Sequence, residues 1–137
     1  MKLAKTYAEK KLGKVDLIRA FQQDVQQIIS LLKKELPKVK EVNALVLFGS
    51  FARGDYSARH SDVDVMIFLD KTEKDPALEE QIRNKVIRWS LGKAVSVHSV
   101  FQYRSIEAED RSLMLTLARE GEVLFAKKTV IISSNLL

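Results

Sequence analysis

The chain has 137 residues, of which 46% are hydrophobic and 30% charged, with a formal net charge of +5. That length and mix suit one soluble domain with its own core, and they exclude an intrinsically disordered chain. Cysteine is absent and histidine occurs only at His60 and His98, which excludes disulfides, thiolate metal sites and Cys nucleophiles and disfavours a His-rich zinc site.

Much of the positive charge lies near the N-terminus, at Lys2, Lys5, Lys10, Lys11 and Lys14, and again at Lys33, Lys34, Lys38 and Lys40. A basic balance suits polyanionic partners such as nucleotides, and more weakly nucleic acid. A solvated helix face explains the same residues more simply. No apolar run approaches the ~20 residues that span a bilayer. No apolar signal core follows Met1-Lys2-Leu3-Ala4-Lys5, so the expectation is a cytoplasmic protein without membrane contact.

In chain order, Leu17, Ile18, Phe21, Val25, Ile28, Ile29, Leu32 and Leu36 recur every three or four residues, which predicts an amphipathic helix over roughly 15–36. Pro37 stops it. Residues 44–48 form a short apolar run ending at Gly49, a buried strand followed by a turn. Residues 63–69 are apolar on both faces, as in a central strand. Asp75-Pro76 caps a helix whose inner face is Leu78, Ile82, Val86 and Trp89, and Gly92 ends it. Residues 94–101 predict a third strand and roughly 108–120 a further helix with Leu113 and Leu117 inside. Val123-Leu124-Phe125 and Val130-Ile131-Ile132 are short strand candidates. Helices alternate with strands around one core, so the fold class is α/β or α+β.

The informative stretch is Leu47-Phe48-Gly49-Ser50-Phe51-Ala52-Arg53-Gly54-Asp55, then Ser61-Asp62-Val63-Asp64. A strand running into Gly49-Ser50 and a short helix offers outward-pointing backbone N–H groups to an anion. Gly49 allows close approach, the Ser50 hydroxyl adds a hydrogen bond, and Arg53 is near enough to help hold phosphate. Taken alone, Gly-Ser reads as a capped turn. Asp62 and Asp64 are two apart at the start of a strand, so their side chains point the same way. Adjacent carboxylates repel unless a cation joins them. Carboxylate oxygens are hard ligands, which favours Mg²⁺ or Mn²⁺. A P-loop is not supported because no Gly-Lys-Ser/Thr follows the turn, nor an EF-hand, because the chain runs apolar after Asp64.

At these residues the sequence resembles the DNA polymerase β-like nucleotidyltransferase superfamily, in particular its small prokaryotic minimal nucleotidyltransferases. The resemblance rests on Gly49-Ser50, Ala52-Arg53-Gly54, Ser61-Asp62-Val63-Asp64 and Val65-Met66-Ile67-Phe68, in that order and spacing. Leu117-Ala118-Arg119-Glu120-Gly121-Glu122 is similar to the way these proteins close. The resemblance spans roughly residues 40–126. It implies one nucleotidyltransferase domain over 1–137, with a helical segment over 1–37 and a small mixed sheet flanked by helices.

The resemblance also implies a site. Gly49, Ser50, Arg53 and Ser61 would hold a nucleoside triphosphate, ATP first, and Asp62 and Asp64 would hold Mg²⁺ or Mn²⁺. Active members take a third carboxylate from a later strand. Here Val95 to Phe101 contain none, and the corresponding positions are Ser96 and His98, which share one strand face. Asp70, six residues beyond Asp64, lies about 20 Å away along an extended strand. Two functions remain open. One transfers NMP, AMP first among them, from NTP to a hydroxyl acceptor, with His98 or water taking the proton. The other is a catalytically weakened nucleotide-binding module acting as the antitoxin partner of a HEPN-type helical protein. A chain this short leaves little room for an acceptor-recognition domain, so a partner or a homo-oligomer would complete the site.

Overall fold

The computed structural model describes residues 2–57, 62–104 and 111–127, with side chains described from Ile18 onward and that of Arg111 left out. Helix α1 runs Lys2–Glu35 and passes into a 3₁₀ turn, Leu36–Lys38, that contains Pro37. Strand β1 spans Val42–Phe48, helix α2 Ser50–Arg53, strand β2 Val63–Leu69 and helix α3 Pro76–Ser90. Strand β3 spans Val97–Tyr103, helix α4 Arg111–Glu120 and strand β4 Glu122–Ala126.

The four strands form one mixed sheet in the order β3-β2-β1-β4. β1 pairs antiparallel with both β2 and β4, while β2 and β3 run parallel. Parallel neighbours need a crossover, and α3 supplies it. α1 and α3 cover one sheet face. Phe21, Val25, Ile28 and Leu32 of α1 and Leu78, Ile82 and Val86 of α3 pack there on Leu45, Leu47, Val63, Val65 and Ile67. On the other face, Met114 and Leu117 of α4 cover Ala44, Val46, Phe48, Met66 and Phe68.

β2 and the start of α3 lie where the sequence puts them. The Asp75 carboxylate accepts from the Leu78 N–H at 3.1 Å, and Pro76 needs no acceptor in the first turn. Other boundaries move. α1 begins at Lys2 rather than near residue 15, because Ala, Lys, Leu and Glu favour helix even where the apolar stripe fades. Ile18, expected on the inner face, is 41% exposed, since core contact begins at Phe21. β3 begins at Val97 rather than residue 94. Gly92 turns with φ +78° and the Ala94 N–H is drawn to Asp24 of α1 at 2.8 Å, so pairing with β2 starts only at Val63–Val97. The strand candidate at Val130-Ile131-Ile132 and the start expected for α4 before residue 111 lie outside the described residues.

Candidate functional site

The end of the sheet where β1 stops gathers the residues singled out in the sequence. β1 delivers the chain to Gly49, which has φ +76° and ψ −155°. An L side chain rarely adopts that conformation, and space also forbids one here. A Cβ on Gly49 would lie 2.4 Å from Asp64 Oδ2. The turn and the carboxylate therefore touch only because the residue is glycine. α2 follows, and the amides of its first turn have no intrahelical acceptor.

An aromatic stack fixes this turn against α1. The rings of Phe51 and Tyr56 lie 4.5 Å apart at 20°, and Phe21 of α1 sits 6.1 Å from each. Gln22 Nε2 donates to the Tyr56 hydroxyl at 2.9 Å. The long first helix thus holds the glycine turn as well as the core.

Asp62 and Asp64 emerge from β2 on the face covered by α4, because residues two apart on a strand share a face. The parallel register sets Asp64 beside His98. Ser96 Oγ donates to Asp62 Oδ1 at 2.7 Å, and His98 Nδ1 lies 3.1 Å from Asp64 Oδ1. An ionised carboxylate only accepts, so Nδ1 carries the proton in this contact. Ser96, just before β3, and His98 within it, neither of them an acid, are the two residues that reach the aspartates. Asp70 lies at the far end of β2, paired with Arg104 at 3.1 Å.

A cleft of about 450 Å³ opens between these elements, lined by Phe48, Gly49, Ser50, Arg53, Asp62 and Asp64 and walled by Leu113, Thr116 and Glu120 of α4. Its size is that of a small-molecule site. The α4 wall escaped sequence reasoning. Its three residues do share a helix face, but nothing in their spacing says that this face looks onto the aspartates. Arg53 faces the cleft in company: Nε bonds Asp55 Oδ2 at 3.0 Å and Nη1 bonds Glu120 Oε1 at 2.8 Å. These bonds, that to Asp55 first, push the guanidinium above its ordinary value, so Arg53 is a fixed cation. Ser61 lies outside the described residues.

Residues 26–130 match the family described as polymerase beta, nucleotidyltransferase. A protein of Methanocaldococcus jannaschii named as a protein adenylyltransferase is 33% identical over 97 residues, covering 68% of this chain and 83% of that protein. Among solved structures, a toxin–antitoxin complex with AMP-PNP contains a chain that superposes with a TM-score of 0.51 at 22% identity, covering 74% of this chain and 72% of that one. A mutant MntA-HpeT toxin–antitoxin complex gives 0.51 at 20% identity, with the same coverage. At those identities the likeness is one of fold, the mixed four-stranded sheet with flanking helices.

Proposed function

Because the chain belongs to the polymerase beta nucleotidyltransferase family, we propose that it binds a nucleoside triphosphate, ATP first, with Mg²⁺ or Mn²⁺, and transfers the NMP unit to a hydroxyl acceptor. The observation that carries this reading is the meeting of the Asp62 and Asp64 carboxylates with the Gly49-Ser50 turn in one cleft. The donor set there is oxygen-rich and free of sulfur, as a hard divalent cation requires. Asp62 and Asp64 would hold the cation, which neutralises phosphate charge and orients the α-phosphate when bound.

The other roles follow from position. The first amides of α2 and the Ser50 hydroxyl hold phosphate oxygens. Arg53 keeps guanidinium N–H groups beyond those that Asp55 and Glu120 engage, and these serve the same anion. Ser61, one residue before Asp62, is assigned to the nucleotide as well. The acceptor oxygen forms a bond to the α-phosphorus, the bond to the bridging oxygen breaks, and pyrophosphate leaves. The acceptor proton goes to water or to Nε2 of His98, the ring nitrogen not facing Asp64.

The name of the archaeal relative supports AMP as the transferred group and a protein as acceptor. A second reading is favoured by Ser96 and His98 standing where a further acid would serve catalysis. Under it, the chain binds nucleotide without efficient turnover and acts as the antitoxin partner of a HEPN-type protein, in keeping with the toxin–antitoxin complexes that share the fold. Either activity is assigned to the cytoplasm. No helix of the described residues is long and apolar enough to cross a membrane.

The test is incubation with α-labelled ATP, Mg²⁺ and candidate acceptor proteins, beside Asp64→Ala. Label on an acceptor with the parent chain and none with the variant is the expected result. Metal-dependent binding without label transfer would select the second reading. Label transfer equal in chain and variant would overturn the site.

A further inference from the structure

We propose that this site holds one divalent cation per bound nucleotide rather than two, because the start of β3 meets the aspartates with two hydrogen-bonding side chains, Ser96 and His98, and with no carboxylate. The inference rests on the nucleotide-and-metal reading above and concerns the number of metals in that same site.

Ligands come first. Phosphates of a bound nucleotide and one or two carboxylates complete the shell of one cation, whereas a second cation beside it needs further carboxylate oxygens from the protein. The two strands that meet here offer only Asp62 and Asp64. Ser96 Oγ occupies Oδ1 of Asp62 and His98 Nδ1 occupies Oδ1 of Asp64, at 2.7 and 3.1 Å. Each carboxylate therefore has one oxygen held by protein and the other left for a cation. Two free carboxylate oxygens, beside the phosphates of a nucleotide, serve one divalent ion.

The remaining acids around the cleft are committed elsewhere. Glu120 pairs with Arg53 at 2.8 Å, and Asp55 with the same guanidinium at 3.0 Å. Among the described residues, no group of three or more His, Cys, Asp and Glu side chains comes close enough to share a metal. An imidazole at 98 brings no negative charge to a second ion. What Ser96 and His98 do supply is orientation. A carboxylate held at one oxygen presents the other at a fixed angle, and such supporting bonds commonly change metal affinity 10–100-fold, roughly. Both are thus positioning residues for the cation that Asp62 and Asp64 hold.

The test counts protein-bound Mn²⁺ by electron paramagnetic resonance, with the full chain saturated in a non-hydrolysable ATP analogue. The expected count is one per chain, rising to two in His98→Asp or Ser96→Asp, either of which places a carboxylate beside the pair. Side-chain exposure of 60% at His98 makes the first replacement sterically mild, and the second covers the case in which it fails to fold. Ser96→Ala keeps a count of one and binds Mn²⁺ about tenfold more weakly or worse. A count of two in the parent chain overturns the proposal, as does a count of one in both folded aspartate variants. Absence of any bound Mn²⁺ in the parent chain instead removes the nucleotide-and-metal reading, and this proposal with it.

Discussion

Along β2, Val63, Val65, Ile67 and Leu69 point to one face and are at most 2% exposed, whereas Asp62, Asp64, Met66 and Phe68 point to the other and pass from an exposed and a half-buried carboxylate to buried apolar side chains. The first face is closed along its whole length by α1 and α3. The second is closed only where α4 crosses it, and its uncovered end is the cleft. One strand, read with a period of two, thus serves stability on one side and borders the candidate site on the other. The expense of two neighbouring carboxylates is tolerable because the opposite face carries the core.

That contrast can be broken from either side. The larger change in stability is expected on the closed face. Ile28, 1% exposed under the sheet, when cut to Ala should lower unfolding free energy by about 2–5 kcal/mol. Urea denaturation reads this. Nucleotide affinity of the folded fraction should stay close to that of the parent, because Ile28 does not border the cleft. A large affinity loss in folded protein would mean that the faces are coupled. Gly49→Ala attacks the other side. Strain at φ +76° costs about 1–3 kcal/mol. The new Cβ must also displace the Asp64 carboxylate, so nucleotide binding should fall by more than the stability loss explains. Unchanged affinity in calorimetric titration would show that the contact between turn and carboxylate is incidental.

The sequence made the closed face legible because burial there follows simple periods, 3.6 along α1 and α3 and two along β2. It also made the glycine turn and the aspartate pair legible, since both are local in the chain. What it could not carry were contacts set by register and docking. Ser96 and His98 were placed as candidates by their shared face, but their separate bonds to Asp62 and Asp64 depend on the parallel pairing of β2 with β3. The bridge from Arg53 to Glu120 joins residues 67 apart in sequence and depends on where α4 lies. β3 itself was displaced by three residues because Asp24, on a distant helix, captures the Ala94 N–H. The role of α1 in bracing the turn through Phe21, Phe51 and Tyr56 had no local signature either.

The account depends most on the pairing of nucleotide with cation at the open end of β2. Calorimetric titration of the full chain with a non-hydrolysable ATP analogue, with and without Mn²⁺, addresses it beside folded Asp62→Asn and Asp64→Asn variants. Binding that requires the cation in the parent chain, and is at least about tenfold weaker in both variants, is the predicted result. Affinity indifferent to Mn²⁺ and equal in all three proteins would contradict it.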